Sequence, residues 1–227
     1  MKVLAIDTAL GACSAAVWDQ TVISGQQKIM SRGHVEELIP MIQTVVTESG
    51  LAFTQLDLIA VSIGPGSFTG LRAGLAAARG LGLALNIPVH GVTTLEAVAA
   101  AAVRLPSTAS SDAILVALET KRADIYVQKF DSQGVAWGEP LAQLPLAATD
   151  LLSENISLCG DAALRVRAEL SEERWGTINC LLDIERPDAG DIAEIAASRM
   201  QNPVLAEPLY IHPPAAKIPE SAGRLRP

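Results

Sequence analysis

SIGPGSFTGLRAGL, running from Ser62 to Leu75, joins the end of an apolar run to the start of a helical pattern through a turn rich in glycine. Gly64 and Gly66 open backbone angles closed to other residues, and Pro65 fixes the turn between them. Ser67 or Thr69 can cap the helix that follows. The stretch has neither the lysine of a P-loop nor the spacing of a dinucleotide fingerprint. Gly70 and Gly74 lie four apart and share one helix face with Ala77 and Ala78. Each helical glycine costs about 0.8–1 kcal/mol relative to alanine, so a close contact that offsets this is expected. Close packing of backbone is the better reading of the block, and phosphate binding is the alternative.

Working outward, the elements fall in a repeated order. KVLAID (2–7), ACSAAVW (12–18) and TVISGQQKI (21–29) read as a meander of three strands. HVEELIPMIQTVVTES (34–49) carries apolar residues at helical spacing, with Pro40 expected to kink it or mark a late start. A strand over 56–63, a helix over 68–85, a weaker strand and a helix over 94–103 complete the first half. The small, polar run LPSTASS (105–111) reads as a boundary. Beyond it come strands over 113–118, 124–130 and 135–144, a short helix near 146–153, and a strand over 156–160. A helix near 161–172, a strand over 178–184 and a helix over 191–200 follow. The order of elements recurs without the residues recurring, which predicts two similar α/β domains, 1–105 and 106–227, around a cleft. The end of the chain, with Lys217, Arg224 and Arg226, is expected to be a loose tail.

Bulk composition bounds the function. The 227 residues are 49% apolar but only 4% aromatic, and an apolar surplus of this kind also serves surface reserved for a partner. A net charge of −8 repels a phosphate backbone, so the chain is not expected to grip nucleic acid alone. Cys13, Cys159 and Cys180 form no CxxC pair, and their odd number argues against a disulfide framework and for a reducing cytoplasm. Leu10-Gly11-Ala12-Cys13 has the look of a lipoprotein cleavage site, but Asp7 interrupts the apolar run before it, which suits a strand and turn. No run is long and apolar enough to span a bilayer.

LAIDTALGACSAAVW, GPGSFTGLRAGLAAARGLGLA, IPVHGVTTLEA and the late AEPLYI together resemble the bacterial TsaB (YeaZ) family, closely over residues 1–100 and weakly over 105–200. The resemblance implies two tandem actin-like domains of the ribonuclease H-like class. It also implies membership of the complex that makes threonylcarbamoyladenosine next to the tRNA anticodon. There the related subunit TsaD performs the transfer, with TsaE and TsaC as further partners, and tRNA meets this chain through the complex. The catalytic relative holds a metal on two histidines one helical turn apart. The matching segment here, Val92-Thr93-Thr94-Leu95-Glu96-Ala97-Val98, has none, and His34, His90 and His212 are widely spaced. Neither a metal site, a protease site nor any catalytic residue is expected. Relatives often follow the late tyrosine with Leu-Arg, where this chain has Tyr210-Ile211-His212.

Two further expectations follow from the resemblance. Asp7 and Thr8 occupy the hairpin where actin-like proteins order Mg²⁺ and phosphate, so weak ATP or ADP binding at a site shared with the partner is one expectation; a plain turn-capping role for Asp7 is the other. The matching second hairpin, Glu119 to Asp124, lacks a glycine. The helices over 34–49 and 68–85 are the rods expected to form a four-helix contact with TsaD. His34, Val35, Leu38, Ile39, Ile42, Leu71, Arg72 and Leu75 are the expected contacts, although some could line the domain's own core. Without TsaD the same surface is expected to form a homodimer. A small-molecule kinase or ATPase using Asp7 is the rival function.

Overall fold

β1 (Val3–Asp7) is buried along its whole length and is the middle strand of a five-stranded sheet. In the computed structural model, which describes residues 1–212, it pairs antiparallel with β2 (Ala12–Asp19). β2 pairs in turn with β3 (Thr21–Ile29), the exposed edge strand. On its other side β1 runs parallel to β4 (Leu58–Gly64), and β4 parallel to β5 (Val89–Thr93). The second sheet repeats this plan. Its β6 (Ala113–Glu119) pairs antiparallel with β7 (Ile125–Asp131), β7 antiparallel with β8 (Leu141–Gln143), and β6 parallel with β9 (Ile156–Cys159). β10 (Asn179–Leu181) closes the far edge. The orders β3-β2-β1-β4-β5 and β8-β7-β6-β9-β10 are the same, and they define a two-lobed actin-like α/β fold.

Helices cover both faces of the first sheet. α1 (His34–Glu48) and α2 (Phe68–Leu85) lie on one face, where Leu38, Met41, Ile42, Val45 and Leu75 pack against Leu4, Ile6, Ile59 and Val61. α1 runs unbroken through Pro40, which is exposed, so the carbonyl it leaves without a donor faces water rather than the core. α2 begins where Ser67 Oγ accepts the Gly70 N–H at 3.3 Å and ends at Asn86, whose φ of 55° stops the helix. α3 (Thr94–Val103) starts in a capping box between Thr93 and Glu96.

The boundary expected near residue 105 separates the two sheets but not the two cores. α7 (Ala189–Ser198) follows the second sheet in the chain, yet Ile192, Ala193 and Ala196 pack on Val3, Ala5 and Ala60 of the first. α3 belongs to the first half, and its Leu95, Val98 and Ala102 pack against Ile114, Val116 and Phe130 of the second. Each lobe thus lends a helix to the other's side of the cleft. The second lobe has less regular structure than expected. Gly138, at φ +93°, and Pro140 cut the strand expected over 135–144 down to β8. The helix expected near 146–153 reduces to α4 (Pro145–Ala148) and a 3₁₀ turn, and that near 161–172 to α5 (Ala163–Ala168) with a separate α6 (Glu172–Trp175). Among the described residues no helix is long and apolar enough to cross a membrane. Lys217, Arg224, Arg226 and the expected loose tail lie outside the described residues.

Candidate functional site

The glycine block meets the hairpin between β1 and β2. Gly64 has φ +109° and is followed by a cis bond to Pro65. A Cβ on Gly66 would run into the carbonyl oxygen of Ala9, and one on Gly70 into that of Thr8. On Gly74 it would come 2.5 Å from Thr8 Oγ1. The contact is bonded as well as close. Ser67 N–H donates to Ala9 C=O at 2.7 Å, and Thr8 Oγ1 donates to Gly70 C=O at 2.7 Å. These glycines let a helix start lie directly on a hairpin, and Thr8–Ala9 fills the space beside Gly66 and Gly70.

Asp7 ends β1 fully buried. Its Oδ1 accepts the Ala9 N–H at 3.1 Å, while Oδ2 has no hydrogen-bond partner among the described residues. Burial pushes its pKa up to about 6 from an ordinary 3.8, against the pull of the neighbouring Ser62 hydroxyl and the Ala9 N–H, and Asp188 adds to the rise. Ser62 Oγ, like Asp7 Oδ2, is buried without a hydrogen-bond partner among the described residues. A folded-state pKa above the unfolded value means that this group costs stability once it ionises. The penalty is absent below about pH 4, grows between 3.8 and about 6, and is constant above. Asp7→Asn keeps the Oδ1 acceptor and cannot ionise. Relative to the parent chain, the variant is expected to gain roughly 1–3 kcal/mol between pH 4 and pH 7.5 in urea unfolding. An equal difference at the two pH values would contradict this.

The helices α1 and α2 each divide into an inner and an outer face. Leu38, Ile42, Leu71 and Leu75, expected at a partner interface, are instead sealed in the chain's own core. The stripe that repeats every three to four residues is the one the first sheet needs, and a docking surface must lie beyond it. Val35 at 57% exposure and Ile39 at 47% do face outward on α1, with Pro40 beside them. His34 is half-buried at the edge, its Nε2 3.2 Å from Leu10 C=O. On α2 the outer stripe is Phe68 (55% exposed), Arg72, Ala76, Gly80 and Leu83 (86%), spaced by three or four residues. The Arg72 guanidinium lies 3.6 Å from the centre of the Phe68 ring, and its Nε donates to Tyr210 Oη at 3.3 Å. A Cβ on Gly80 would meet nothing within 4 Å. The small-residue face that remains open is therefore Ala76–Gly80, whereas Gly70 and Gly74 are spent on the hairpin.

A family model described as tRNA N6-adenosine threonylcarbamoyltransferase, TsaD, matches residues 21–174. The TsaB protein of Escherichia coli is 36% identical over 141 residues, 61% of this chain and 60% of that protein. That of Buchnera aphidicola subsp. Schizaphis graminum is 33% identical over 154 residues, 68% of this chain and 67% of its own. The chain belongs to the TsaB (YeaZ) family. YeaZ from Pseudomonas aeruginosa has the same fold, with a TM-score of 0.76 at 25% identity over 92% of this chain and all of that one. The match to the E. coli TsaB covers three-fifths of that protein's length.

In this TsaB-family chain the second hairpin is closed by side chains of its own and of α5. Thr120 Oγ1 bonds Asp124 Oδ1 at 2.8 Å, and Arg165 bonds both Glu119 and the Ala123 carbonyl. Among the described residues no group of three His, Cys, Asp or Glu side chains could hold a metal. Burial raises all three thiols, Cys13 to about 11. Between the lobes lies a cleft of about 350 Å³ lined by Gln27, Arg104, Ile184, Arg186, Asp188 and Asp191. Asp191, which sequence reasoning alone does not single out, is buried there. Burial pushes its pKa up to about 6 against the pull of Arg104, with which it pairs. Only its place three residues after the helix-capping Asp188 could have drawn attention to it.

Proposed function

We propose that this TsaB-family chain is a supporting subunit in the synthesis of threonylcarbamoyladenosine next to the tRNA anticodon, and that it acts by pairing with the transferase TsaD. The observation that carries the reading is the pair of outer stripes, Val35 and Ile39 on α1 beside Phe68, Arg72, Ala76, Gly80 and Leu83 on α2. Two neighbouring helices that expose Val35, Ile39, Phe68 and Leu83 offer what a second helix pair would cover by ridge-into-groove packing. Ala76 and Gly80 allow the axes to approach, and Phe68 and Arg72 are of the types that carry binding energy at interfaces. TsaE and, less directly, TsaC complete the set of partners, and tRNA is held mainly by subunits less acidic than this one. When TsaD is absent the same stripes pair two copies of this chain. Omitting the chain from a reconstituted reaction is expected to lower modification of tRNA at least tenfold at equal TsaD. Equal modification without it would overturn the reading.

A second reading is a small-molecule kinase or ATPase, favoured by one observation, the buried Asp7 Oδ2 that has no hydrogen-bond partner among the described residues. Asp7 and Thr8 would then hold a metal-bound nucleotide, whose phosphate supplies the group transferred. Gly66 and Gly70, where a phosphate would approach the backbone, already face Thr8 and Ala9, which weighs against it. ATP turnover by the purified chain, lost in Asp7→Ala, would support this reading, and its absence supports the first.

A further inference from the structure

Residues 204–212 are fastened to one lobe along most of their length and to the other at their end. Gly91 N–H donates to Val204 C=O at 2.8 Å, and Leu205 forms an antiparallel bridge with His90. Arg79 holds the Ala206 carbonyl through Nε at 3.1 Å and Nη2 at 2.5 Å. Leu209 N–H donates to Ile63 C=O at 2.7 Å, at the strand end that leads into the glycine turn. The Tyr210 ring sits 5.7 Å from that of Phe68 and its hydroxyl accepts from Arg72. All of these anchors belong to the first lobe.

Two residues later the chain grips the second lobe. His212 Nε2 lies 2.6 Å from Asp124 Oδ2, and Nδ1 lies 2.9 Å from the Tyr126 hydroxyl, with the two rings 5.1 Å apart. The hydrogen bond from His212 holds the Asp124 carboxyl below the usual carboxylate range. Asp124 is not free to swing with its partner. Thr120 and Arg165 bind the turn from residue 119 to 124 into one unit with α5. A pull at His212 is therefore passed to the whole turn and on to β7.

We propose that residues 204–212 form a coupler between the outer start of α2 and the second lobe, with His212 as its latch. A protein partner that covers Phe68, Arg72 and Tyr210 shifts Tyr210, and through two residues of chain it tightens or loosens the hold on Asp124 and Tyr126. Coupling of this kind is reciprocal, so a change at the latch must be felt at the α2 end. The identity of the occupant rests on the docking reading above. The coupling itself does not, because it is a property of the chain alone and is tested without a partner.

The test is amide hydrogen exchange on the full chain. His212→Ala is expected to speed exchange about tenfold in residues 120–126 and also at Leu209, within the strap, and at Gly91, whose bond to Val204 lies at its far end, with β1 and β9 unchanged. Tyr210→Ala is expected to speed exchange in residues 120–126. Tyr126→Phe, which keeps the ring and removes one hydrogen bond, gives the same pattern at smaller amplitude. Changes confined to residues 210–212 and 124–126 in His212→Ala and Tyr126→Phe, or an unaltered turn in Tyr210→Ala, would overturn the coupler.

Discussion

Ile39→Asp, combined with Val35→Asp, is expected to leave the chain folded and to weaken the proposed complex with TsaD by more than about 100-fold. Both side chains are about half exposed in the isolated chain, so a carboxylate at either keeps its water and costs the monomer little. Covered by an apolar helix, each carboxylate would lose that water without gaining a partner. Truncating one interface anchor costs about 2 kcal/mol or more, and two such losses make the complex undetectable at micromolar concentration. Sedimentation of the mixed proteins reads this directly, with unfolding in urea as the control for the fold. Leu38→Asp is the instructive contrast. Leu38 is buried beside Ile6 and Val61 in the chain's own core, and an unpaired charge there is expected to cost roughly 3–5 kcal/mol. Loss of binding in that variant would report unfolding. Full binding by the Val35→Asp/Ile39→Asp protein would show that the outer stripe is not the proposed docking surface for TsaD.

The second large effect lies within one helix, where two glycines are expected to answer alanine with opposite signs. Gly80 faces open space, so Gly80→Ala removes backbone freedom from the unfolded chain and adds about 0.5–1 kcal/mol of stability. At Gly70 the same gain is available, but the new Cβ runs into the carbonyl of Thr8, a backbone atom whose neighbour Ala9 is bonded to Ser67 at the helix start. Thr8 cannot turn aside as a flexible side chain would, because its Oγ1 is tied to the Gly70 carbonyl. Gly70→Ala is therefore expected to lose roughly 2–4 kcal/mol as α2 lifts off the hairpin. Urea midpoints at constant m-value decide both. Stabilisation by Gly70→Ala would mean that the block does not hold the hairpin and helix in contact. Gly80→Ala has a further use, since a variant more stable alone yet weaker with TsaD would place a second helix close against that position.

Much of this was legible in the residues, for identifiable reasons. The strands β1, β2 and β4 are continuous apolar runs because both faces of the first sheet are covered, and such runs stand out from any helical period. The glycine block pointed to close packing because helical glycines are costly without a contact, and Thr8 and Ala9 supply one. What could not be read is which surface each apolar face meets. Leu38 and Ile39 are neighbours of like chemistry, one in the core and one in water, and only the sheet's position separates them. On α2 both faces are small, Gly70–Gly74–Ala78 inward and Ala76–Gly80 outward, so composition alone does not tell the packed face from the open one. The apolar spacing over 191–200 marks α7 as a helix, but nothing in its pattern says that it crosses back to the first sheet. The strap after Val204 carries no period at all. Its bonds run through backbone carbonyls and amides, which any residue can supply.

The central claim is that the chain works through its outer helix surface. It is tested most directly by titrating the reconstituted tRNA modification with the parent chain, with Ile39→Asp, and with Leu164→Asp, a similarly exposed apolar position on α5 in the other lobe. Leu164→Asp is expected to restore modification as the parent does, and Ile39→Asp to restore almost none at the same concentration. Full restoration by Ile39→Asp would contradict the account.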